Sequence, residues 1–332
     1  MCLKKLVTLL LLTTALGGFA LAESDFEGRG RIAFIQGPNV YTMKPDGTDV
    51  RQLTNVGPNT SALWASWSPD AKQLVFAEFP PTGPSQLWLM NADGNNQHQL
   101  FTDSLDDSFP SFSPNGSYIA FTRCQTDFSQ CAISRVRTDG TGMTAITTFE
   151  PDLFDIAPRY SPDGQTIAFG GFNRDGVLGA IYLMEADGTE IRRLTPTELG
   201  GQQPFWSPDG ENIAFQTRCC NPQNAEIWTI NRNGHELTRL TGTDASDLDI
   251  PVAHYNQNPS WSPKGNAVVF GQYLVSSNSN AIFITNADGS ECTQIAALPA
   301  TPKTDALRSR HHHGPHEIEA GGSNPRWSPA QW

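Results

Sequence analysis

Basic residues are scarce in this 332-residue chain: 22 Lys and Arg stand against 34 Asp and Glu, a formal charge of −12. Phosphate contacts need clustered Lys and Arg, so nucleic acid is excluded as a natural partner and anionic lipid is disfavoured by the same field. Charged residues make up only 17% of the chain, while 29 Gly and 24 Pro interrupt it at short intervals. Long helices and coiled coils do not survive such a composition. Long apolar runs are also missing after the first 22 residues, so nothing beyond them predicts a membrane span. Aromatic side chains are plentiful: 18 Phe, 8 Trp and 6 Tyr supply the area for a substantial core.

The amino-terminal stretch reads separately. Lys4 and Lys5 precede an apolar run from Leu6 to Leu12, and Ala20-Leu21-Ala22 before Glu23 fits the small-x-small rule of signal peptidase. Residues 1–22 are therefore expected to be a cleaved secretory signal, giving a periplasmic or secreted protein with no membrane span after cleavage.

The remainder repeats one unit. An aromatic followed by Ser-Pro recurs at Trp67, Phe112, Tyr160, Trp206, Trp261 and Trp327, and an Asp-Gly or Asn-Gly pair begins at Asp46, Asp93, Asp139, Asp187, Asn233 and Asp288. Between these landmarks lie short runs rich in β-branched and aromatic residues. One series ends in Phe34, Phe76, Phe121, Phe169, Phe215 and Phe270. The next carries Tyr41, Trp88, Tyr182, Trp228 and Phe283, with Ser134 breaking the pattern. Each repeat thus predicts four strands, A to D, with tight A–B and C–D turns. Such units cannot bury both faces alone, and six of them predict a six-bladed, all-β propeller of antiparallel blades. The blades fall at approximately 62–101, 107–147, 155–195, 201–241 and 256–296, all within one domain, 23–332. The remaining blade combines residues 30–54, which lack an A run, with 322–329, which hold an isolated one. Strands from both ends of the chain are therefore expected to close the ring.

The units P-x-W-S-P-D-G-x-x-I-A-F and I-Y-x-M-x-x-D-G-x-x-x-R-x-L-T, clearest at 157–169, 181–195 and 204–215, resemble the WD40-like repeat of the TolB propeller family. The resemblance implies this fold, a place in the cell envelope and the binding of a protein or peptide partner. Since the first run starts near residue 31, the reading leaves no room for the amino-terminal α/β domain of TolB itself. Prolyl oligopeptidase-like enzymes carry similar repeats, but their G-x-S-x-G elbow is absent.

Alternating strand direction puts the A–B and C–D turns on one face and the B–C and D–A connections on the other, where variation is expected. Two D–A linkers are long, about 242–256 and 297–322, and both flank blade six. The first offers Asp244, Asp247, Asp249, His254 and Tyr255 for binding. The second offers His311, His312, His313 and His316, with Glu317 and Glu319, as divalent-metal ligands. Phe79, Pro80, Pro81 and Pro84, together with Tyr273 and Leu274, are expected as exposed apolar contacts in B–C loops. Asp103, Asp106 and Asp107 read as a solvated acidic linker with oxygen ligands but no EF-hand spacing. The turn carboxylates Asp163, Asp187 and Asp209 are assigned to structure.

Cys2 leaves with the signal, and five cysteines remain, so one is expected unpaired within the chain. Cys124 and Cys131 bracket a B–C loop and form the disulfide candidate. Cys219 and Cys220 are adjacent, and Cys292, on the opposite face from them, is the expected free thiol. The sequence thus predicts a monomeric, non-enzymatic exported propeller with no assured cofactor. Its alternative is a metal-dependent lyase or lactonase using the loops around blade six.

Overall fold

The structure, a computed structural model, describes residues 30–150, 153–173, 179–196, 198–217, 224–242, 254–274, 277–298 and 325–328. The expected signal segment, Cys219, Cys220, Asp244, Asp247, Asp249 and the His311 to Glu319 tract lie outside these residues. No helix occurs among the described residues.

The chain begins with β1 (Ile32–Gln36), β2 (Asn39–Met43) and β3 (Arg51–Gln52). Four-stranded units follow. The second holds β4 (Ser61–Trp67), β5 (Gln73–Phe79), β6 (Gln86–Asn91) and β7 (His98–Gln99). The third holds β8 (Asp106–Phe112), β9 (Tyr118–Cys124), β10 (Cys131–Arg137) and β11 (Thr144–Ala145). The fourth holds β12 (Leu153–Tyr160), β13 (Thr166–Asn173), β14 (Ala180–Glu185) and β15 (Arg192–Arg193). The fifth holds β16 (Gln202–Trp206), β17 (Asn212–Thr217), β18 (Asn224–Asn231) and β19 (Thr238–Arg239). The sixth holds β20 (His254–Trp261), β21 (Ala267–Leu274), β22 (Ser279–Asn286) and β23 (Cys292–Leu298). The last strand, β24 (Arg326–Trp327), pairs antiparallel with β1, Ile32 opposite Trp327 and Ala33 opposite Arg326, and completes the first unit in the order β24-β1-β2-β3. The protein is an all-β propeller.

The A strands β4, β8, β12, β16, β20 and β24 touch one another in that order, and β24 touches β4. They surround the axis, whereas the short D strands β3, β11, β15 and β19 are exposed at the rim. Between them sits the core. Phe34, Phe76, Phe121, Phe169, Phe215 and Phe270 head the largest fully buried side chains, one from each B strand. Each of five lies directly opposite the C-strand aromatic, as Phe34 opposite Tyr41 and Phe270 opposite Phe283, with ring centroids 5.7 Å apart in both pairs. In the third unit Ser134 stands opposite Phe121, and the ring is instead covered by Phe101 and by the Arg123 guanidinium, 5.4 Å from its centroid. Burying each such ring contributes on the order of 1.5–3 kcal/mol.

Hydroxyl groups fix the turns. In the aromatic-Ser-Pro motif the Ser Oγ accepts the amide five residues on, as Gln73 N to Ser68 Oγ at 2.9 Å and Asn212 N to Ser207 Oγ at 2.9 Å. It also donates to the following turn carboxylate, Ser68 to Asp70 at 2.7 Å. At the seam between the chain ends the same bond recurs without a connecting turn: Arg31 N donates to Ser328 Oγ at 2.7 Å, and Ser328 N donates to the Arg31 carbonyl at 2.7 Å. The Thr that ends the D segment bonds inward likewise. Thr54, Thr147, Thr195 and Thr241 each accept a C-strand amide through Oγ1, at 2.9 to 3.1 Å.

The Asp-Gly pairs do more than turn the chain. In Lys44-Pro45-Asp46-Gly47, only the Gly has positive φ, 82°. Asp46 Oδ1 accepts the Thr48 hydroxyl at 2.6 Å and the Thr48 amide at 2.9 Å, and the corresponding side-chain and amide bonds at Asp93, Asp139, Asp187 and Asp288 hold all these carboxylates below their ordinary pKa. The Gly lies on the preceding unit. A Cβ at Gly47, Gly94, Gly140, Gly188, Gly234 or Gly289 would face the main-chain carbonyl of Ile295, Leu53, Leu100, Ile146, Leu194 or Leu240 respectively. At Gly140 the gap would be 2.1 Å and at Gly47 likewise 2.1 Å, the latter across the contact between the sixth unit and the first.

One feature of the inner strands has no sequence marker. Trp64, Phe109, Ala157, Gln203 and Asn258 all take positive φ, between 50° and 57°, each at a register shift against the B strand. Two residues there oppose one, a β-bulge, at a cost of roughly 1–2 kcal/mol per residue for the left-handed backbone.

Gly140→Ala and Gly83→Ala separate strain from contact. Gly83 has φ 83° with nothing within 4 Å of its would-be Cβ, whereas Gly140 has φ 82° and the Leu100 carbonyl in the way. Urea unfolding is expected to show a loss of about 1 kcal/mol for Gly83→Ala and about 3 kcal/mol for Gly140→Ala. Equal losses would remove the inter-unit role of this turn.

Candidate functional site: the connection face and the propeller axis

The A–B and C–D turns occupy one face and are committed to neighbouring units. The Gly116, Gly164, Gly210 and Gly265 positions of the A–B turns each sit over the Pro of the preceding unit's turn, at would-be Cβ distances of 3.5 to 3.8 Å. The B–C and D–A connections form the opposite face, where most of the sequence candidates were expected.

Two of these candidates meet. His254 and Tyr255, expected in a linker, instead begin β20, because the ladder with β21 continues through His254 opposite Leu274 and Tyr255 opposite Tyr273. The start of β20 also bridges in parallel to Asn224 and Ala225 of β18. The Tyr255 and Tyr273 rings stack 6.3 Å apart, both half-buried, and the Tyr273 hydroxyl donates to Asn278 Oδ1 at 2.9 Å. Leu274 is also half-buried.

Other expectations need correction. Phe79 is not an exposed contact: β5 runs on through it, it is 5% exposed, and its ring meets Trp64 edge to face at 5.2 Å. Trp64 stacks in turn on Phe109 of the next unit, centroids 3.9 Å apart. Of the neighbouring prolines, Pro81 is exposed and Pro80 and Pro84 are half-buried. Asp106 and Asp107 are not a solvated acidic linker either, since both begin β8 and are buried. Asp107 lies opposite Arg123 in the ladder and takes Arg123 Nε at 2.9 Å and Nη2 at 3.1 Å, while Asp103 pairs with the same guanidinium. Asp106 Oδ1 accepts the Ser85 amide at 2.7 Å. These carboxylates are held by protein partners rather than presented to a cation. Among the described residues no group of three His, Cys, Asp or Glu side chains is placed to hold a metal ion.

The Cys124 and Cys131 sulfurs are bonded, closing the β9–β10 hairpin where the two residues stand directly opposite. Cys292 is disulfide-bonded as well, so it is not the unpaired thiol.

The axis carries residues that the sequence reading passed over. The position before each A-strand aromatic holds Ser66, Ser111, Arg159, Phe205, Ser260 and Arg326 in turn. Arg159 and Arg326 are buried, at 5% and 4% exposure, and both guanidiniums lie against the Phe205 ring, at 5.8 and 5.4 Å from its centroid. Their Nη1 atoms cap carbonyls around the bulges: Arg159 reaches Pro110 and Pro158, and Arg326 reaches Asn258, Pro259 and Pro325, all at 3.0 to 3.2 Å. Trp67 and Trp206 extend this belt, donating Nε1 to the carbonyls of Arg326 and Arg159 in the preceding units at 3.3 and 3.1 Å. Burial pulls Arg159 down to about 10 and Arg326 further below its ordinary value, the latter also feeling the charge of Arg159. Gln203, Gln257, Asn258, Trp261, Arg326 and Trp327, on the adjacent strands β16, β20 and β24, each leave a buried side-chain polar atom without a partner. A P-R-aromatic-S-P sequence in two units, three apart, was the available signal.

Blade geometry, repeat chemistry and strand order agree with one family, and the TolB beta propeller domain matches residues 85–297. The chain belongs to the TolB propeller family. TolB from Acinetobacter baumannii superposes with a TM-score of 0.69 at 21% identity, over 92% of this chain and 68% of that one. An oligogalacturonate lyase in complex with manganese superposes with a TM-score of 0.53 at 14% identity, over 84% of this chain and 76% of the lyase. These likenesses are ones of fold. An uncharacterized protein of Agrobacterium fabrum is 28% identical over 108 residues, so the match spans 35% of that relative.

In this TolB-type propeller the start of β12 carries a further buried carboxylate. Asp155 is 5% exposed, and burial pushes its pKa up to about 6 against the opposing hydrogen bond from Thr147, with Glu150 adding repulsion. A folded-state pKa above the ordinary 3.8 means that the folded protein binds the proton more tightly. Stability from this group is therefore full below about pH 4 and is lost as pH rises through 6. Asp155→Asn should gain on the wild type between pH 5 and pH 7, by on the order of 1–3 kcal/mol in urea midpoint comparisons. A difference that does not change with pH would show that Asp155 ionises freely in the fold.

Proposed function

We propose that this TolB-family propeller is an exported, non-enzymatic binding protein that takes a protein or peptide partner on the face built from its B–C and D–A connections. The observation that carries the reading is the division between faces. Glycine and proline contacts occupy the turn face all round, whereas the connection face presents the stacked Tyr255 and Tyr273, with Leu274 beside them. Partly buried tyrosines offer apolar area with a polar tip at small entropic cost, the property that enriches them at binding surfaces. The long connection around 242–253, with Asp244, Asp247 and Asp249, leads directly into His254 and Tyr255, and the Phe79 region contributes Pro81 at its edge. The formal charge of −12 favours a partner whose contact surface is basic.

Export rests on residues 1–22, and the family membership supports a place in the cell envelope. No helix among the described residues is long and apolar enough to cross a membrane. The alternative, a metal-dependent lyase or lactonase centred on His311, His312, His313 and His316, rests on residues that lie outside the described ones.

Affinity capture from envelope extract of the native host tests the binding face. The wild type and a turn-face variant, Val50→Ser with Ile191→Ser, both sites being 53% exposed, should recover the same partner. Tyr255→Ala with Tyr273→Ala should weaken that partner by about tenfold or more. Loss of the partner in the turn-face variant alone, or no partner for the wild type, would overturn the reading.

A further inference from the structure

We propose that the propeller axis is an oxyanion site, in which the guanidiniums of Arg159 and Arg326 hold a carboxylate or phosphate group beside the Phe205 ring. The two arginines come from the fourth and first units, opposite one another in the ring of six, and one aromatic ring touches both. Both are buried, and among the described residues neither has a carboxylate partner. Elsewhere the half-buried Arg123 is matched by Asp103 and Asp107 and Arg31 by Asp49, while Arg135 and Arg232, without an ion pair among the described residues, keep partial access to solvent. Among the described residues, only the two axial arginines are both buried and without a carboxylate.

A guanidinium does not escape burial by losing its proton, so two like charges persist in a low-dielectric belt. The carbonyls of Pro110, Pro158, Asn258, Pro259 and Pro325 satisfy Nη1 in each case, and they supply dipoles but no net negative charge. Phe205 adds a cation–π contact of modest size. Arg326 Nε, buried and without an acceptor, remains as a donor. Planar guanidiniums are the side chains best matched to oxyanions, which they bind through paired N–H groups. An oxyanion would supply the missing charge and an acceptor for Nε together. The chain's overall acidity makes the positive axis a local inversion of sign, so an anion held there is recognised by this site and not by a general field.

Thermal unfolding of the full, untagged chain tests the site, with sodium chloride, sodium acetate and inorganic phosphate compared at constant ionic strength. Acetate, phosphate or both should raise Tm saturably, by roughly 3 °C or more near saturation. The arm that responds identifies carboxylate or phosphate as the occupant. Arg326→Met should lose this response and, in chloride alone, be no less stable than the wild type, because a buried unpaired charge has been removed. If Arg326→Met does not fold, Arg326→Lys keeps the charge and loses the fork, and acetate or phosphate affinity by calorimetry should fall at least tenfold. Absence of any oxyanion response in the wild type, or an unchanged response in the arginine variants, would overturn the proposal.

Discussion

The contact between each C–D turn glycine and a main-chain carbonyl of the preceding unit sets the spacing on which the rest of this ring depends. A four-stranded sheet of this kind has two faces to cover and only its neighbours to cover them with. The would-be Cβ distances show how closely neighbours approach: at Gly47, Gly140 and Gly188 the gap is 2.1 to 2.3 Å, less than any side chain tolerates. That approach buries the B-strand phenylalanines in a series of apolar clusters and leaves the D strands at the rim. The Asp before five of these glycines serves the same end, since its bond to the amide two residues on holds the turn in the one shape that lets the glycine reach, and at Gly234 the Asn231 side chain takes this part by accepting the His235 amide.

Much of the architecture was legible because the repeat writes each unit with the same chemistry. The aromatic-Ser-Pro landmark marks the inner strand and its latch, and the lone copy at 327–329 announced the seam with β1. Phe79 and the pair Asp106 and Asp107 were misplaced for a common reason. A linker and the end residues of a strand look alike in sequence where Pro, Asp or Ser lie at the boundary, as Pro80 does after Phe79, and the strand ends are fixed by cross-strand partners, Ser61 for Phe79 and Arg123 for Asp107. The bulges were invisible because positive φ is ordinarily signalled by glycine, and here Trp64, Phe109 and Ala157 adopt it.

The axial arginines escaped notice for a related reason. In a period-two reading a charged residue next to an aromatic is assigned to the solvent side of a strand, but the bulge upstream resets which side faces the axis. Arg159 and Arg326 therefore point where a simple alternation puts solvent, into a belt of carbonyls that the bulges themselves leave unpaired. The candidate binding face was legible only in outline. Tyr255 and Tyr273 could be named, but their stacking follows from a ladder register that the sequence does not print.

The seam has a kinetic consequence. Arg31 and Ser328 are 297 residues apart, and their bonds are the counterpart of contacts that every other unit makes within five residues. Units two to six can each assemble from local hairpins as the chain becomes available, whereas the first unit stays three-stranded, with the edge of β1 open, until the last strand arrives. Ring closure is therefore the latest step open to this topology. Until it occurs, β1 offers an unpaired edge to any extended segment nearby, including the β24 of another copy, and dilution or swift closure is what keeps the product a single ring.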